Sequence, residues 1–211
     1  MYHRQIKLED NMVIVGITGG IGSGKSYVSE LLKQRGVPVF DCDSQAKRLT
    51  LEDSIIRESL IALLGPGVYV DGKLNKPVLA SFLFASKENA AKVNAIIHPQ
   101  VRKSFREWVA CNALHGNDVV AMESAILFES GFNSEVDYVL MVHAPLDIRC
   151  SRVMERDHAT LEDVERRIKS QMSDEEKSSM SDFVIENDGQ RSLDGQLDAL
   201  ISSLKDIKAS K

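Results

Sequence analysis

A glycine-rich segment near the N-terminus has the residue types and spacing that bind oligophosphates. Residues 19–26 fit the pattern G-x-x-x-x-G-K-S at every fixed position. Glycine lets a backbone bend closely around phosphates, and the amides at a helix start attract anions. Lys25 would reach the β- and γ-phosphates of a nucleotide, and the Ser26 hydroxyl would hold Mg²⁺. The residues expected to line this nucleotide site are Gly20, Ile21, Gly22, Ser23, Gly24, Lys25, Ser26 and Tyr27.

Acidic side chains follow two of the apolar runs. Asp41 and Asp43 come after the run 37–40, and Glu123 ends the run 118–123. Ligands of open α/β sheets bind at the carboxyl ends of the strands, so these carboxylates are expected near the phosphates. Either aspartate could instead cap the following helix, and position alone favours Asp43 for the chemistry. An acid at a strand end supports Mg²⁺ in some kinases, but such strands are common, so Glu123 alone is weak evidence.

Arginines recur at helical spacing in the second half of the chain. Arg149, Arg152 and Arg156 are three and four residues apart, which places them on one helix face. Phosphoryl transfer needs cations on the equatorial phosphate oxygens, so this face is predicted to close over the transferring phosphate as a lid. The alternative is a solvated helix whose arginines pair with nearby acids.

Alternating strand and helix patterns must position these groups, and they predict a parallel, doubly wound α/β sheet. The predicted strands are 12–18, 37–40, 118–123, 138–142 and 182–187, with a short turn or a small hairpin in 68–74. The predicted helices are 24–35, 45–51, 52–64, 77–85, 87–114 and 190–205, with a helical stretch between the last two strands. The block from residue 45 to about 99 is too long for a plain crossover, so we expect a mostly helical insertion. Pro99 predicts a kink or a break in the long helix.

Length and composition indicate an ordinary globular protein. The chain has 211 residues and a formal net charge of −5, which favours one domain with insertions and argues against a nucleic-acid-coating role. No apolar run approaches the ~18 residues of a membrane helix. Residues 1–11 are either a short, loosely ordered extension or the product of an upstream start codon. They lack the apolar core of a secretory signal, so a cytoplasmic protein is predicted. The cysteines are far apart and are expected to be free thiols.

The ordered set of motifs resembles the dephospho-CoA kinase family over nearly the whole chain. The matching segments are 18–26, 41–43 with 46–48, 97–99 with 101–102, 126–129, 152–157, 167–168 with Gln171, and 182–189. The chain departs from the family at Ala125, where proline is usual, and at Tyr27, where threonine is common. Neither departure removes a charged group that the reaction needs.

The resemblance implies transfer of the ATP γ-phosphate, with Mg²⁺, to the ribose 3′-hydroxyl of dephospho-CoA in the final step of coenzyme A synthesis. It implies a P-loop kinase with a five-stranded parallel sheet flanked by helices. The nucleotide-binding core would comprise residues 12–44, 115–148 and 182–211, the helical acceptor region residues 45–114, and the lid residues 149–181.

The resemblance also carries residue roles over by position. Asp43 would be the catalytic aspartate near the acceptor hydroxyl, and Arg152 would be the lid arginine on the transferring phosphate, with Arg156 nearby. Asn187 would lie near adenine. The acceptor region would place Arg48 and His98 near the substrate.

Other functions remain open on the sequence. A different small-molecule or nucleoside-monophosphate kinase would carry the same loop. A GTPase switch requires Asn-Lys-x-Asp, but Asn75-Lys76 is followed by Pro77-Val78, and D-x-x-G is absent. A non-catalytic nucleotide-binding module would not need Lys25, Ser26 and the arginine helix. A monomer or a weak homo-oligomer without a membrane partner is expected.

Overall fold

The computed structural model describes residues 12–209, so the predicted extension 1–11 lies outside the described residues. The strands are β1 (Val13–Thr18), β2 (Val39–Asp41), β3 (Tyr69–Val70), β4 (Lys73–Leu74), β5 (Val119–Glu123), β6 (Tyr138–His143) and β7 (Phe183–Glu186). The α-helices are α1 (Lys25–Gln34), α2 (Cys42–Glu52), α3 (Ser54–Leu64), α4 (Lys76–Ala85), α5 (Lys87–Leu114), α6 (Leu146–Asp157), α7 (Leu161–Lys169), α8 (Asp174–Ser179) and α9 (Leu193–Ala209). Two short 3₁₀ helices cover Pro66–Val68 and Phe132–Glu135. No helix within residues 12–209 combines the length and apolarity needed to cross a membrane.

The fold divides into two compact units. Among the described residues, the first unit contains 12–41 and 109–209, and the second contains Cys42–Trp108. The first unit holds the five-stranded sheet in the order β2-β5-β1-β6-β7, and all its strand pairs are parallel. The predicted parallel α/β fold is confirmed, and β1 is its central strand.

The apolar faces of β1 explain its central position. Val13, Val15 and Ile17 are at most 2% exposed, as expected for a strand covered by helices on both sides of a parallel sheet. They join a core with Leu32 from α1 and Leu200 from α9. Helix α9 therefore packs its apolar side chains, Leu200 among them, against the sheet.

Charged contacts hold the C-terminal helix to the core of the first unit. Arg35, at the end of α1, donates to Asp198 at 2.9 Å and to Asp194 at 2.5 Å. Lys208 pairs with Asp118, which precedes β5. The closing helix is thus fixed at both ends by long-range ion pairs.

The second unit differs from the sequence prediction in two boundaries. The predicted helix 52–64 begins only at Ser54, because Asp53 caps it by accepting the Ile56 N–H at 2.9 Å. Helix α2 begins at Cys42, so Asp43 lies in its first turn, not at an N-cap. The Asp71–Gly72 segment turns between β3 and β4, which pair antiparallel as the predicted hairpin.

The long helix α5 runs from Lys87 to Leu114 without a break at Pro99. The predicted long helical region is confirmed, and of the two outcomes expected at Pro99 the break does not occur, while the kink stays a prediction. A proline inside a helix costs ~3 kcal/mol, and burial on both sides of it offsets that cost. Val93 is 0% exposed before Pro99, and Val101 and Phe105 are 1% exposed after it.

Candidate active site

The phosphate loop, residues 19–26, connects β1 to α1 as the motif requires. Gly24 is the N-cap residue of α1 and has φ 94°, a left-handed conformation that favours glycine. A Cβ atom there would lie 2.1 Å from Asn187 Nδ2, so a side chain is excluded by space as well. The Gly24 carbonyl accepts the Val28 N–H at 3.0 Å and starts the helix. The loop is thus a strand–loop–helix turn whose helix N-terminus can bind an anion.

Lys25 lies along the phosphate loop. Its ammonium group donates to the carbonyls of Gly19 at 3.0 Å and Gly20 at 3.2 Å. These bonds keep the Nζ atom beside the loop backbone, and its contact with a nucleotide's terminal phosphates stays a prediction.

Ser26 contacts the acid that ends β5. Its hydroxyl donates to Glu123 Oε1 at 2.8 Å. Hydroxyl and carboxylate oxygens are ligands that Mg²⁺ accepts, and Mg²⁺ keeps several waters and phosphate oxygens besides. The described residues contain no group of three or more His, Cys, Asp or Glu side chains able to hold a metal ion. With its hydroxyl and carboxylate oxygens, the Ser26–Glu123 pair fits a Mg²⁺ that takes its other ligands from water and nucleotide phosphates.

A cationic cavity of about 230 Å³ opens beside the phosphate loop. Its described lining is Gly22, Gly24, Lys25, Ser26, Tyr27, Arg152, Val153 and Arg156. Lys25, Arg152 and Arg156 give this lining three positive charges, and none of the lining residues is acidic. Such a charge balance fits a polyanionic ligand.

Arg152 is held at one end and leaves one donor group for a ligand. Its Nη2 donates to the Asn187 carbonyl at 3.1 Å. Its Nη1 is buried and has no hydrogen-bond partner among the described residues. A buried donor without a partner costs free energy, and a phosphate oxygen is the acceptor that a guanidinium binds best. The Nη1 atom lies 3.8 Å from where a Gly24 Cβ would be, so a phosphate in the loop can supply that acceptor.

Arg156 belongs to an ion-pair network between α6 and α7. It donates to Asp157 at 2.7 Å and 3.1 Å, and Asp157 also accepts from Arg167 at 2.7 Å. These hydrogen bonds, that of Arg156 most strongly, lower the pKa of Asp157 to about 2. The carboxylate therefore stays ionised at neutral pH and ties the two helices together.

Asn187 supports the phosphate loop directly. Its side-chain Nδ2 donates to the Ser23 carbonyl at 2.8 Å, and its backbone N–H donates to the His143 carbonyl at 2.7 Å. The residue is 7% exposed. Its place near adenine stays a prediction, and the structure gives its amide a contact with the loop.

Arg149 occupies a different position from the other two arginines. It is 2% exposed, its Nε donates to the Ile21 carbonyl at 2.9 Å, and its guanidinium pairs with Asp174. It is not among the residues that line the cavity. The prediction that all three arginines close over a phosphate is thus wrong for Arg149, because α6 packs this turn against the loop backbone.

The second unit carries the predicted acceptor residues. Asp43 lies in the first turn of α2, where the helix dipole favours a carboxylate. Arg48 donates to Gln45 at 3.0 Å and to Glu52 at 2.6 Å on the same helix. His98 is half-buried in α5, and burial, assisted by the positive charge of Arg102, lowers its pKa below the ordinary value. The imidazole is therefore neutral at pH 7, and the roles of all three residues stay predictions.

Two further contacts, one to the loop and one to the arginine that holds it, had little or no signal in the residue patterns. Ile21 N–H donates to Gln171 Oε1 at 3.0 Å, and Asp174 holds Arg149. Gln171 stood in one of the matching segments without a role, and Asp174 is one of several acids in a polar stretch.

Pairing of β1 with β5 sets Glu123 opposite Ile17, and this register brings the acid to Ser26.

The fold and the phosphate loop define a P-loop kinase of the α/β class. The dephospho-CoA kinase family model matches residues 13–192. A dephospho-CoA kinase from Bacteroides fragilis is 50% identical over 192 residues, which cover 90% of this chain and 92% of that relative. The chain belongs to the dephospho-CoA kinase family.

Solved structures share the fold. A crystal structure described as TT1252 from Thermus thermophilus has a TM-score of 0.77 at 35% identity and covers 92% of this chain and 97% of that one. Dephospho-CoA kinase from Campylobacter jejuni has a TM-score of 0.64 at 23% identity, with 93% and 98% covered. The second likeness supports the fold alone.

Proposed function

We propose that the chain phosphorylates the ribose 3′-hydroxyl of dephospho-CoA with ATP, giving coenzyme A and ADP in the last step of coenzyme A biosynthesis. Membership of the family supports ATP as donor and dephospho-CoA as acceptor. The observation that carries the proposal is the cationic cavity at the phosphate loop, where the buried Arg152 Nη1 needs an acceptor. A triphosphate supplies both the negative charge and the acceptor oxygens.

Residues of the first unit would bind and stabilise the transferring phosphoryl group. Lys25 contacts the terminal phosphates, and Arg152 donates to the equatorial oxygens with Arg156 beside it. The transition state of phosphoryl transfer is loose, so positioning and cationic stabilisation contribute most of the rate enhancement. Ser26 and Glu123 would hold Mg²⁺, which supplies neutralising charge on the phosphate oxygens when bound.

Asp43 would orient the acceptor hydroxyl and accept its proton. Its position two residues after the end of β2, in the first turn of α2, supports this assignment because ligands of α/β sheets bind at the carboxyl ends of strands. Arg48 and His98 would contribute to the acceptor region, residues 45–114. A neutral His98 can accept or donate a hydrogen bond without adding charge.

The lid would be formed within residues 149–181. Contacts with Ile21 hold Arg149, at the start of this segment, and Gln171, within it, to the phosphate loop. We therefore place the movement in the part between them, which contains α7 and the Asp157–Arg167 ion pair. A cytoplasmic location and a monomeric or weakly self-associating state belong to the same proposal.

The test measures ADP release with MgATP and one acceptor at a time: dephospho-CoA, AMP, UMP, shikimate or none. Product mass should increase by one phosphate. Stimulation by dephospho-CoA alone, with coenzyme A as product, is the expected result. Stimulation by another acceptor would reject dephospho-CoA as the substrate but would keep the assignment of kinase activity.

A matched pair of lysine variants completes the test. Lys25→Met should abolish turnover and preserve the fold. Lys33→Met, a change at a 46% exposed side chain later in α1, should retain turnover. Full activity in Lys25→Met would overturn the assignment of the loop.

A further inference from the structure

The phosphate loop is held from outside the cavity by two side chains that meet at one residue. Ile21 N–H donates to Gln171 Oε1 at 3.0 Å, and the Ile21 carbonyl accepts from Arg149 Nε at 2.9 Å. The N–H and the carbonyl of a residue belong to different peptide planes. Gln171 therefore fixes the plane before Ile21, and Arg149 fixes the plane after it.

The plane before Ile21 orients the lysine of the loop. In a trans peptide the N–H and the carbonyl point in opposite directions. Because Ile21 N–H points to Gln171, the Gly20 carbonyl points the other way. This carbonyl accepts Lys25 Nζ at 3.2 Å and Ser23 N–H at 3.1 Å. Gln171 thus sets the direction of an oxygen that positions Lys25.

The plane after Ile21 orients a cavity-lining amide. Its carbonyl points to Arg149, so the Gly22 N–H in the same plane points away from Arg149, and Gly22 lines the cavity. Arg149 has little freedom to move, since it is 2% exposed and pairs with Asp174. A Cβ on Gly20 would lie 2.2 Å from Arg149 Nη2, which shows how closely the guanidinium approaches the loop.

The segment that carries Gln171 and Asp174 is itself anchored. Met172 N–H donates to Glu129 Oε1 at 2.9 Å. Lys177 is 0% exposed, and its ammonium group donates to the Ala125 carbonyl at 3.0 Å and lies 3.2 Å from Glu129. Gln171 is therefore presented to the loop from a backbone that is fixed on the β5 side of the first unit.

We infer that Gln171, Arg149 and Asp174 are positioning residues for triphosphate binding, which act through the two peptide planes at Ile21. They orient the Gly20 carbonyl, and through it Lys25, and the Gly22 amide. The inference rests on the proposed function in that the loop binds MgATP. It assigns these residues no contact with either substrate.

The test compares Gln171→Met with Gln34→Met. The first variant keeps the size of the side chain and removes the acceptor, and the second replaces an exposed glutamine at the end of α1. Loss of the acceptor leaves Ile21 N–H unpaired, so MgATP affinity by titration calorimetry should fall about tenfold in Gln171→Met. Affinity for adenosine, the KM for dephospho-CoA at saturating ATP, and the thermal midpoint should match those of Gln34→Met.

A second variant addresses the other plane without removing the buried guanidinium. Asp174→Asn keeps the size of the side chain and removes the charge that holds Arg149. Asp174→Asn should weaken the binding of MgATP more than the binding of adenosine, as Gln171→Met does. Arg149→Met is unsuitable because removing a buried, paired arginine disrupts folding.

Two results would overturn the inference. One is wild-type affinity for MgATP in both variants. The other is an equal loss of MgATP and adenosine binding together with a lowered thermal midpoint, which would indicate a structural role. Because calorimetry needs no acceptor, a wild type that binds MgATP without phosphorylating dephospho-CoA would reject the proposed function and leave this inference intact.

Discussion

Ser26 donates its hydroxyl proton to Glu123 across 2.8 Å, which joins the first turn of α1 to the end of β5. The parallel register sets Glu123 opposite Ile17, so pairing of β1 with β5 fixes the carboxylate before any ligand binds. The Ser26 hydroxyl and the Glu123 carboxylate are thus positioned by the centre of the sheet. Precision at a metal site is greatest when strands and helices carry the ligands.

Glu123→Gln tests the metal role of this pair. The variant keeps the shape of the side chain and removes the negative charge that would attract Mg²⁺ and that accepts the Ser26 hydroxyl proton. Groups that orient metal ligands contribute about 10–100-fold to affinity or activity, and we expect a loss of that size with a raised Mg²⁺ requirement. Initial rates against free Mg²⁺ at saturating ATP give the measurement. Glu30→Gln, an exposed change on α1, is the control, and an unchanged Mg²⁺ dependence in Glu123→Gln would contradict the role.

Arg152→Lys tests the guanidinium fork. Arg152 donates to the Asn187 carbonyl through Nη2, and its Nη1 would donate to a phosphate oxygen; a lysine cannot do both. The loss of a transition-state donor lowers kcat by about 10²–10³-fold. Single-turnover rates separate this effect from ATP binding. Arg166→Lys, at a 70% exposed side chain of α7, should react at the wild-type rate, and equal rates in both variants would exclude Arg152 from the chemistry.

Asp43→Asn tests the proton acceptor. The amide keeps the size of the side chain and cannot take the hydroxyl proton, so kcat should fall by ~10²-fold or more. The acceptor KM should change little if Asp43 acts mainly in the transition state. Asp71→Asn, in the exposed turn between β3 and β4, is the matched control. A kcat near that of the control would leave Asp43 with only a helix-terminus role.

His98 should make stability depend on pH. Burial, and then the charge of Arg102, lowers its pKa in the folded chain below the unfolded value of about 6.5. Between these two values the unfolded chain binds more protons, so the free energy of unfolding decreases as pH falls. The stability that the neutral His98 preserves is fully present above about pH 6.5, and it is lost as the pH falls towards and through the lowered pKa of the folded chain.

Urea unfolding of the wild type and of His98→Asn at several pH values between about 7.5 and 5 measures this contribution. The wild type should lose more stability than the variant over that range. Parallel losses in the two proteins would show that His98 has the same pKa in both states.

Lys177→Met tests the buried ion pair at α8. The change removes the donor to the Ala125 carbonyl and leaves Glu129 without its lysine. Breaking a buried pair by removing one partner costs about 3 kcal/mol of unfolding free energy. Lys169→Met, at a 78% exposed side chain, should change stability by less than about 0.5 kcal/mol. Equal urea midpoints for the two variants would show that the buried pair contributes nothing to stability.

Local patterns were enough to predict the sheet and the phosphate loop. The run before Gly19 is apolar on both faces, and strands of that kind belong to parallel sheets. Prediction failed where packing outweighed a local preference. At Pro99 a break was one of the two predicted outcomes, and α5 instead continues through the proline to the buried Val101 and Phe105. Asp53 ends one helix and starts the next, since its carboxylate accepts the Ile56 N–H.

In the candidate site, too, local patterns predicted some residues and the packing of the folded chain decided the others. Lys25 and Ser26 were predicted because the motif fixes their spacing. The spacing of Arg149 and Arg152 correctly placed them on one helix, but it cannot tell which turn of that helix meets the loop backbone. The contact of Gln171 with Ile21 joins residues far apart in the chain. No sequence period encodes such a contact, so only the folded chain reveals it.

The strand order has a consequence for the growing polypeptide on the ribosome. Strands β1 and β2 are made first, but both pair with β5, which lies between them in the sheet, and β1 also pairs with the later β6. The backbone of Val13 therefore has no strand partner until Val119 has been synthesised. Until then the nascent chain exposes an apolar, β-branched segment, which is the kind of sequence that chaperones bind and that aggregates when left unprotected. The central strand β1 is thus synthesised long before β5 and β6, the strands that cover its edges.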